Sequence, residues 1–287
     1  MLLMRTFLAL LTLFALALQP ATAGSPPDTL GKIRKTGAIT VAYSADSPPF
    51  SFAQDGEPAG YSVALCREIL EGVEKQLGLK ELKVTWTAAN TPDRLAMVAK
   101  GKADLECGTT SITLDRQEQV DFSNEIFVEA GGVLTLRESG IKGLVSLADK
   151  KVAVIPDTTT ERRLRRALER KRVSADLVAI ESAAEGMMAL SAGRVDAYAG
   201  DRLVLISQVA QAGEPERFAL LTETFSIDPY GFALPRGDAD FRLAVNRALA
   251  QVYRGAALEQ IFVRWFGSDA EPTEVLRTTY LLNAYPD

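Results

Sequence analysis

The sequence predicts an α/β protein built as two similar lobes. Three features carry this expectation. Strand and helix patterns alternate, the alternation breaks at a β-prone stretch interrupted by Gly131 and Gly132, and the same alternation then restarts. The length of 287 residues accommodates two units. With 47% apolar and 24% charged residues, the composition is that of an ordinary globular chain and argues against collagen-like, disordered and disulfide-scaffold classes.

The first alternation runs strand 38–43, helix 61–77, strand 83–86, helix 91–100, strand 103–107. In 61–77, Cys66, Ile69, Leu70, Val73 and Leu77 recur at helical spacing and mark the inward face. The helix from Thr91 takes that residue as its N-cap, has Pro92 next to it and stops at Gly101. A βαβαβ run of this kind predicts a parallel sheet with helices on both faces. The second alternation runs strand 151–155, helix 160–171, strand 176–180, helix 182–192, strand 195–198. A strand at 230–234, amphipathic helices at about 239–253 and 256–266, and a short tail over 283–287 complete the reading.

Residues 1–23 differ from the rest. Arg5 is their only charge, 7–18 form an apolar core, and Ala21-Thr22-Ala23 is a small-x-small cleavage site. This is the layout of a secretory signal peptide cut after Ala23, and the core is too short to span a bilayer well. Gly24 rather than cysteine follows, so no lipid anchor is expected. A soluble periplasmic protein is the expectation, with secretion the alternative. Cys66 and Cys107 then lie in an oxidising compartment; a helix-to-sheet disulfide is favoured, two inert buried thiols being the other reading.

The chain contains no histidine. That removes the commonest general base and metal ligand, and every Ser-His or Cys-His dyad. There is no phosphate loop, dinucleotide fingerprint, nucleophile elbow or metal-spaced carboxylate cluster, so no cofactor and no metal are expected. A net charge of −5 makes a nucleic-acid partner improbable.

Polar chemistry collects in four places at strand ends or helix starts, where ligands of α/β sheets gather. After Gly108 come Thr109, Thr110 and Ser111, and then Arg116, which suits a carboxylate; a hydroxyl-rich turn with a surface arginine is the alternative. Thr158 and Thr159 open a helix, with Thr158 and Glu161 spaced as a capping box whose free N–H groups also suit an anion. Asp201 follows a strand and is placed for an ammonium ion or for a surface turn. Arg94, in a first helical turn, opposes the helix dipole and needs an offsetting anion, either a ligand carboxylate or a neighbouring acid. The basic residues Arg162, Arg163, Arg165, Arg166, Arg170, Lys171 and Arg172 read as a solvated helix face.

Several ordered motifs then give a resemblance. The run 104–123 around Cys107, Gly108 and Arg116 is its strongest part. It is joined by Pro49-Phe50, Gly60-Tyr61-Ser62, 193–197, Asp228-Pro229-Tyr230-Gly231 and Arg264-Trp265-Phe266-Gly267. Over about residues 30–287 the chain resembles the periplasmic amino-acid-binding proteins of ABC importers (solute-binding family 3), most of all the glutamate/aspartate-binding branch. The resemblance implies a two-lobed type II periplasmic binding protein fold, each lobe a sheet flanked by helices. Residues 24–130 and 226–287 would form lobe one and 131–225 lobe two, joined by a two-segment hinge near 126–134 and 224–231.

It also implies roles. Arg116 would clamp the ligand α-carboxylate with help from Thr109 to Ser111 and from Thr158 and Thr159. Ser111 and Asp201 would hold the α-ammonium. Arg94 and Thr91 would face the side chain, and Phe50 and Ser44 complete the expected site. The implied partners are an amino acid, glutamate- or aspartate-like, and an inner-membrane ABC permease, with the protein acting as a monomer. The sequence departs from the acidic-amino-acid pattern at Ser44, Ala183 and Asp157, where the relatives carry arginine, histidine and glycine. Competing readings are a dehydratase on the same fold and a sensor module that presents ligand to a receptor.

Overall fold

The computed structural model describes residues 27–286; the expected leader and its cleavage after Ala23 lie outside the described residues. Helix α1 (Thr29–Thr36) leads into β1 (Ala38–Tyr43). Three short strands follow, β2 (Asp46–Ser47), β3 (Ser51–Gln54) and β4 (Glu57–Ala59), and pair antiparallel as a small separate sheet. Next come α2 (Tyr61–Leu77), β5 (Lys83–Ala88), α3 (Thr91–Ala99), β6 (Leu105–Glu106), the single turn α4 (Leu114–Gln117) and β7 (Val120–Phe122). After the long β8 (Phe127–Leu136) the alternation resumes with β9 (Lys151–Val154), α5 (Thr159–Lys171), β10 (Asp176–Ala179), α6 (Ala183–Ser191), β11 (Ala197–Asp201) and α7 (Arg202–Gln211). The chain then forms β12 (Phe218–Leu220), β13 (Ser226–Tyr230), β14 (Ala233–Pro235), α8 (Ala239–Arg254), α9 (Ala257–Phe266) and α10 (Glu274–Asn283).

These strands make two large sheets, and the fold is the two-lobed α/β arrangement expected. The first has the order β5-β1-β6-β14-β7, the second β10-β9-β11-β8-β12 with β13 also on β8. The βαβ units yield the parallel core of each sheet: β1 with β5 and β6, and β9 with β10 and β11. The expectation of all-parallel sheets needs correction at the other edge. β14 runs antiparallel to β6 and β7, and β11, β12 and β13 run antiparallel to β8. None of these antiparallel pairs is joined by a single βαβ crossover, so nothing requires them to run parallel.

Helices cover both faces, and strand alternation shows it. In β1, Val41 joins the core beneath α2 and α8, whereas its neighbour Ala42 joins the core beneath α3. In the second sheet Val152 and Val154 point to one core and Ala153 to the other. Cys66 on α2 and Cys107 just past β6 are joined, with an S–S distance of 2.08 Å, which settles the open choice in favour of the disulfide.

The chain crosses between the sheets along two adjacent strands. β8 and β13 pair from Phe127 opposite Tyr230 to Gly131 opposite Ser226. A Cβ at Gly131 would lie 2.3 Å from the Phe225 ring and 2.6 Å from Ser226 Oγ, so the close packing here requires glycine. The predicted strand 230–234 is split between β13 and β14 at Gly231 and Phe232. The predicted tail 283–287 begins as the last residue of α10. Among the described residues no helix is long and apolar enough to cross a membrane.

Candidate functional site

A cavity of about 70 Å³ lies between the two sheets. The first sheet's side contributes Ser47, Thr91, Thr109, Ser111 and Arg116. The second contributes Thr158, Thr159, Thr160, Ala183, Tyr198 and Asp201, with Ile155, Ala199, Gly200 and Val204. These come from β2 and the body of β11, from loops at the carboxyl ends of β6 and β9, and from short or starting helical turns, so the wall is rich in hydroxyls and backbone N–H groups. Seven of the expected site residues share it: Arg116, Asp201, Ser111, Thr109, Thr91, Thr158 and Thr159.

Arg116 sits in α4, whose N-cap Thr113 accepts from the Arg116 N–H. Its guanidinium is buried, and its only side-chain hydrogen bond to a described residue runs from Nη1 to the Ser111 carbonyl at 2.7 Å. It makes no ion pair with a described residue. Burial first, then the nearby Arg162, lowers its pKa to about 10, still well above neutrality. A buried cation with most donors unused is unfavourable alone and becomes favourable when a carboxylate takes them in a bidentate pair.

Asp201 closes β11 on the opposite wall. Burial raises its pKa to about 6; the Tyr230 hydroxyl pulls it down, Asp228 pushes it up, and Thr160 and Arg116 pull it down. Thr160 Oγ1 donates to Asp201 Oδ1 at 3.3 Å. Behind it, Glu129 on β8 stands opposite Asp228 on β13, both buried. Burial and then the charge of Asp201 raise Glu129 to about 8. A ligand ammonium at Asp201 would neutralise the carboxylate that both neighbours oppose.

The start of α5 supplies the third component. Thr158 is its N-cap and accepts from Glu161 N at 3.2 Å. Glu161 reaches back past the cap to Asp157 N, at 3.0 Å, so the expected box is displaced by one residue. Asp157 itself is exposed, holds a left-handed φ of 59° and does not line the cavity; aspartate is among the residues that tolerate this conformation. Ser111 Oγ and Thr159 Oγ1 meet at 3.0 Å across the two sides.

Four expected site residues do not line the cavity. Arg94 is only 1% exposed and forms an ion pair with the fully buried Glu106, Nε to Oε1 at 2.7 Å. Its other nitrogens donate to the Ala89 carbonyl at 2.9 Å and to Thr91 Oγ1 at 3.1 Å. The anion that offsets Arg94 is thus a neighbouring acid. Gly108 makes room for that pair, since a Cβ would lie 2.4 Å from Glu106 Oε1. Thr91 faces the cavity because Asn90, not Thr91, caps α3 and accepts from Asp93 N.

Thr110 is fully buried, and its carbonyl accepts from Gly231 N at 3.1 Å. Phe50 packs edge-on to Tyr61, Phe127, Tyr230 and Phe266 in the core. Ser44 is buried one layer back, bonded to Ser47 Oγ at 2.9 Å and to Asp46 Oδ1 at 3.1 Å. Sequence reasoning passed over Ser47, Thr160 and Tyr198. Thr160 belongs to a hydroxyl run already noticed; Tyr198 reads as a core strand residue; Ser47 lies in a two-residue strand with no periodicity to place it.

A family model for bacterial extracellular solute-binding proteins, family 3, matches residues 39–268. The chain is 33% identical to an L-glutamate/L-aspartate-binding protein of Pseudomonas aeruginosa, over 90% of this chain and 86% of that one. It is 30% identical to a glutamate/aspartate import solute-binding protein of Escherichia coli, over 92% and 88% respectively. A solved ancestral arginine-binding protein bound to glutamine has a TM-score of 0.71 at 28% identity, covering 81% of this chain and 99% of that one. With its two sheets, its inter-sheet cavity and these likenesses, the chain belongs to the bacterial extracellular solute-binding proteins of family 3.

Proposed function

We propose that this protein captures a small polar α-amino acid, of the size of glutamate and aspartate, in the periplasm and delivers it to an inner-membrane ABC permease. The observation that carries the reading is one cavity with a buried guanidinium, Arg116, that makes no ion pair with a described residue, and a half-buried carboxylate, Asp201, in its wall. These match the two charged ends of a zwitterion. Arg116 takes the α-carboxylate together with the N–H groups at the start of α5. Asp201 and Ser111 take the α-ammonium. Residues 24–130 with 226–287 and residues 131–225 act as the two lobes, and β8 and β13 form the hinge about which they close.

The protein is a binder rather than a catalyst on this reading, because the two charged groups of the wall, Arg116 and Asp201, are committed to holding the ligand's ends. It acts as a monomer and takes no nucleic acid. Titration calorimetry against the common amino acids tests the proposal. At least one is expected to bind with micromolar or tighter affinity. At 100 times its Kd it would add about 2.7 kcal/mol of stability. A complete panel with neither heat nor thermal shift contradicts the reading.

A further inference from the structure

Asp46 has been met only as a partner of Ser44; it is half-buried and lines a neighbouring groove, while its carboxylate bonds two residues of the cavity wall. It belongs to the first lobe. Its Oδ2 accepts from the backbone N–H of Ala183, the first residue of α6 in the second lobe, at 3.1 Å. Its Oδ1 accepts from Ser44 Oγ at 3.1 Å and from Ser47 Oγ at 3.5 Å. Ser47 and Ala183 both line the cavity, as does Tyr198, whose hydroxyl feels the Asp46 charge. Asp46 makes no ion pair with a described residue.

The wall around Ser47, Thr91 and Ala183 carries neither Arg116 nor Asp201, so the ligand's side chain is directed there once its two ends are held. Among the described residues the cation near that region, Arg94 behind Thr91, is already matched by Glu106. The side-chain region therefore has a paired cation on one flank and an unpaired carboxylate on the other. A second carboxylate brought into it meets repulsion without a compensating charge. An amide or hydroxyl of the same shape meets only hydroxyl groups and backbone.

Building on the amino-acid reading above, we propose that Asp46 is a specificity-determining residue that makes the site favour a side-chain amide or hydroxyl over the isosteric carboxylate. It acts through space and through Ser47 and Ala183, and its bond to α6 makes this discrimination part of the closed arrangement of the lobes.

The test is calorimetry of the purified full-length mature protein, stripped of ligand by unfolding and refolding, with L-glutamine, L-glutamate, L-asparagine and L-aspartate. In the unaltered protein each amide should outbind its acid by about tenfold or more. In Asp46→Asn, which keeps size, can still accept from the Ala183 N–H through its one oxygen and turns its NH2 toward the serine hydroxyls, the ratio should fall about tenfold toward the acid. Affinity for the amide should change much less, and thermal melting should be unaltered. Asp46→Ser should shift the ratio in the same direction, and if either variant misfolds, the ratio in the unaltered protein decides. A preference of the unaltered protein for the acids, or a ratio unmoved in both variants, overturns the role of Asp46 while leaving amino-acid binding intact. Failure of all α-amino acids to bind instead removes the reading on which it rests.

Discussion

At the scale of single residues, the account rests on two arginines of similar burial and opposite circumstance. Arg94 spends its charge on Glu106, whereas Arg116 spends one donor on a carbonyl. Arg116→Ala should therefore abolish binding of every α-amino acid in calorimetry while leaving the melting curve nearly unchanged. Arg94→Met should act on stability, because it strands a buried Glu106. Urea denaturation should show a loss of about 3–5 kcal/mol, much of it recovered by adding Glu106→Gln. An Arg94 variant of normal stability that changes only ligand preference would contradict that assignment. Asp201 sets the pH dependence. Its ordinary value is 3.8 and it is raised to about 6, so the charged form needed by an ammonium is lost as pH falls through 6. Affinity should be flat above about pH 7 and decline toward tenfold per unit below 6. The types and order of these residues were visible in the chain; their partners were not. A cation in a first helical turn demands an anion, but only the folded arrangement shows that the strand residue Glu106 meets Arg94 before a ligand can.

At the scale of elements, periodicity read the long ones well. The helix expected over 61–77 and the strand over 38–43 occur with those limits. Two- to four-residue strands such as β2, β3 and β4 lack the length for a period, and they hold Ser47 and Asp46. The N-cap of α3 fell to Asn90, which precedes Thr91 and caps at least as well, and this freed the threonine for the cavity. The paired strands β8 and β13 carry a further consequence. Glu129 is raised from 4.5 to about 8, so the folded state favours its protonated form. That contribution to stability is full below 4.5 and is lost as pH rises through 8. Glu129→Gln cannot titrate, so its melting temperature relative to the unaltered protein should climb between pH 5 and pH 9. A gap independent of pH would contradict the assignment. The disulfide ties α2 to the end of β6 across a sequence separation of 41 residues. Replacing both cysteines with serine should lower the unfolding free energy in urea by about 2–4 kcal/mol.

At the scale of the whole molecule, the two-lobed α/β arrangement was legible because each lobe repeats the strand–helix alternation around its own cores. The antiparallel edges were not, since they arise where the chain passes from one sheet to the other and returns. The cavity belongs to this scale, for neither lobe contains it alone. Opposed walls supply a cation and an anion, and two hydrogen bonds, Ser111 to Thr159 and Asp46 to Ala183, join the lobes beside it. A zwitterion bridging the walls should therefore close the molecule, and small-angle scattering should show a smaller radius of gyration with ligand than without. The most direct measurement is paired calorimetry of the best-binding amino acid against its decarboxylated amine and its N-acetyl derivative. The account predicts that the intact zwitterion binds with micromolar or tighter affinity and that neither derivative binds measurably. Equal binding of either one would contradict it.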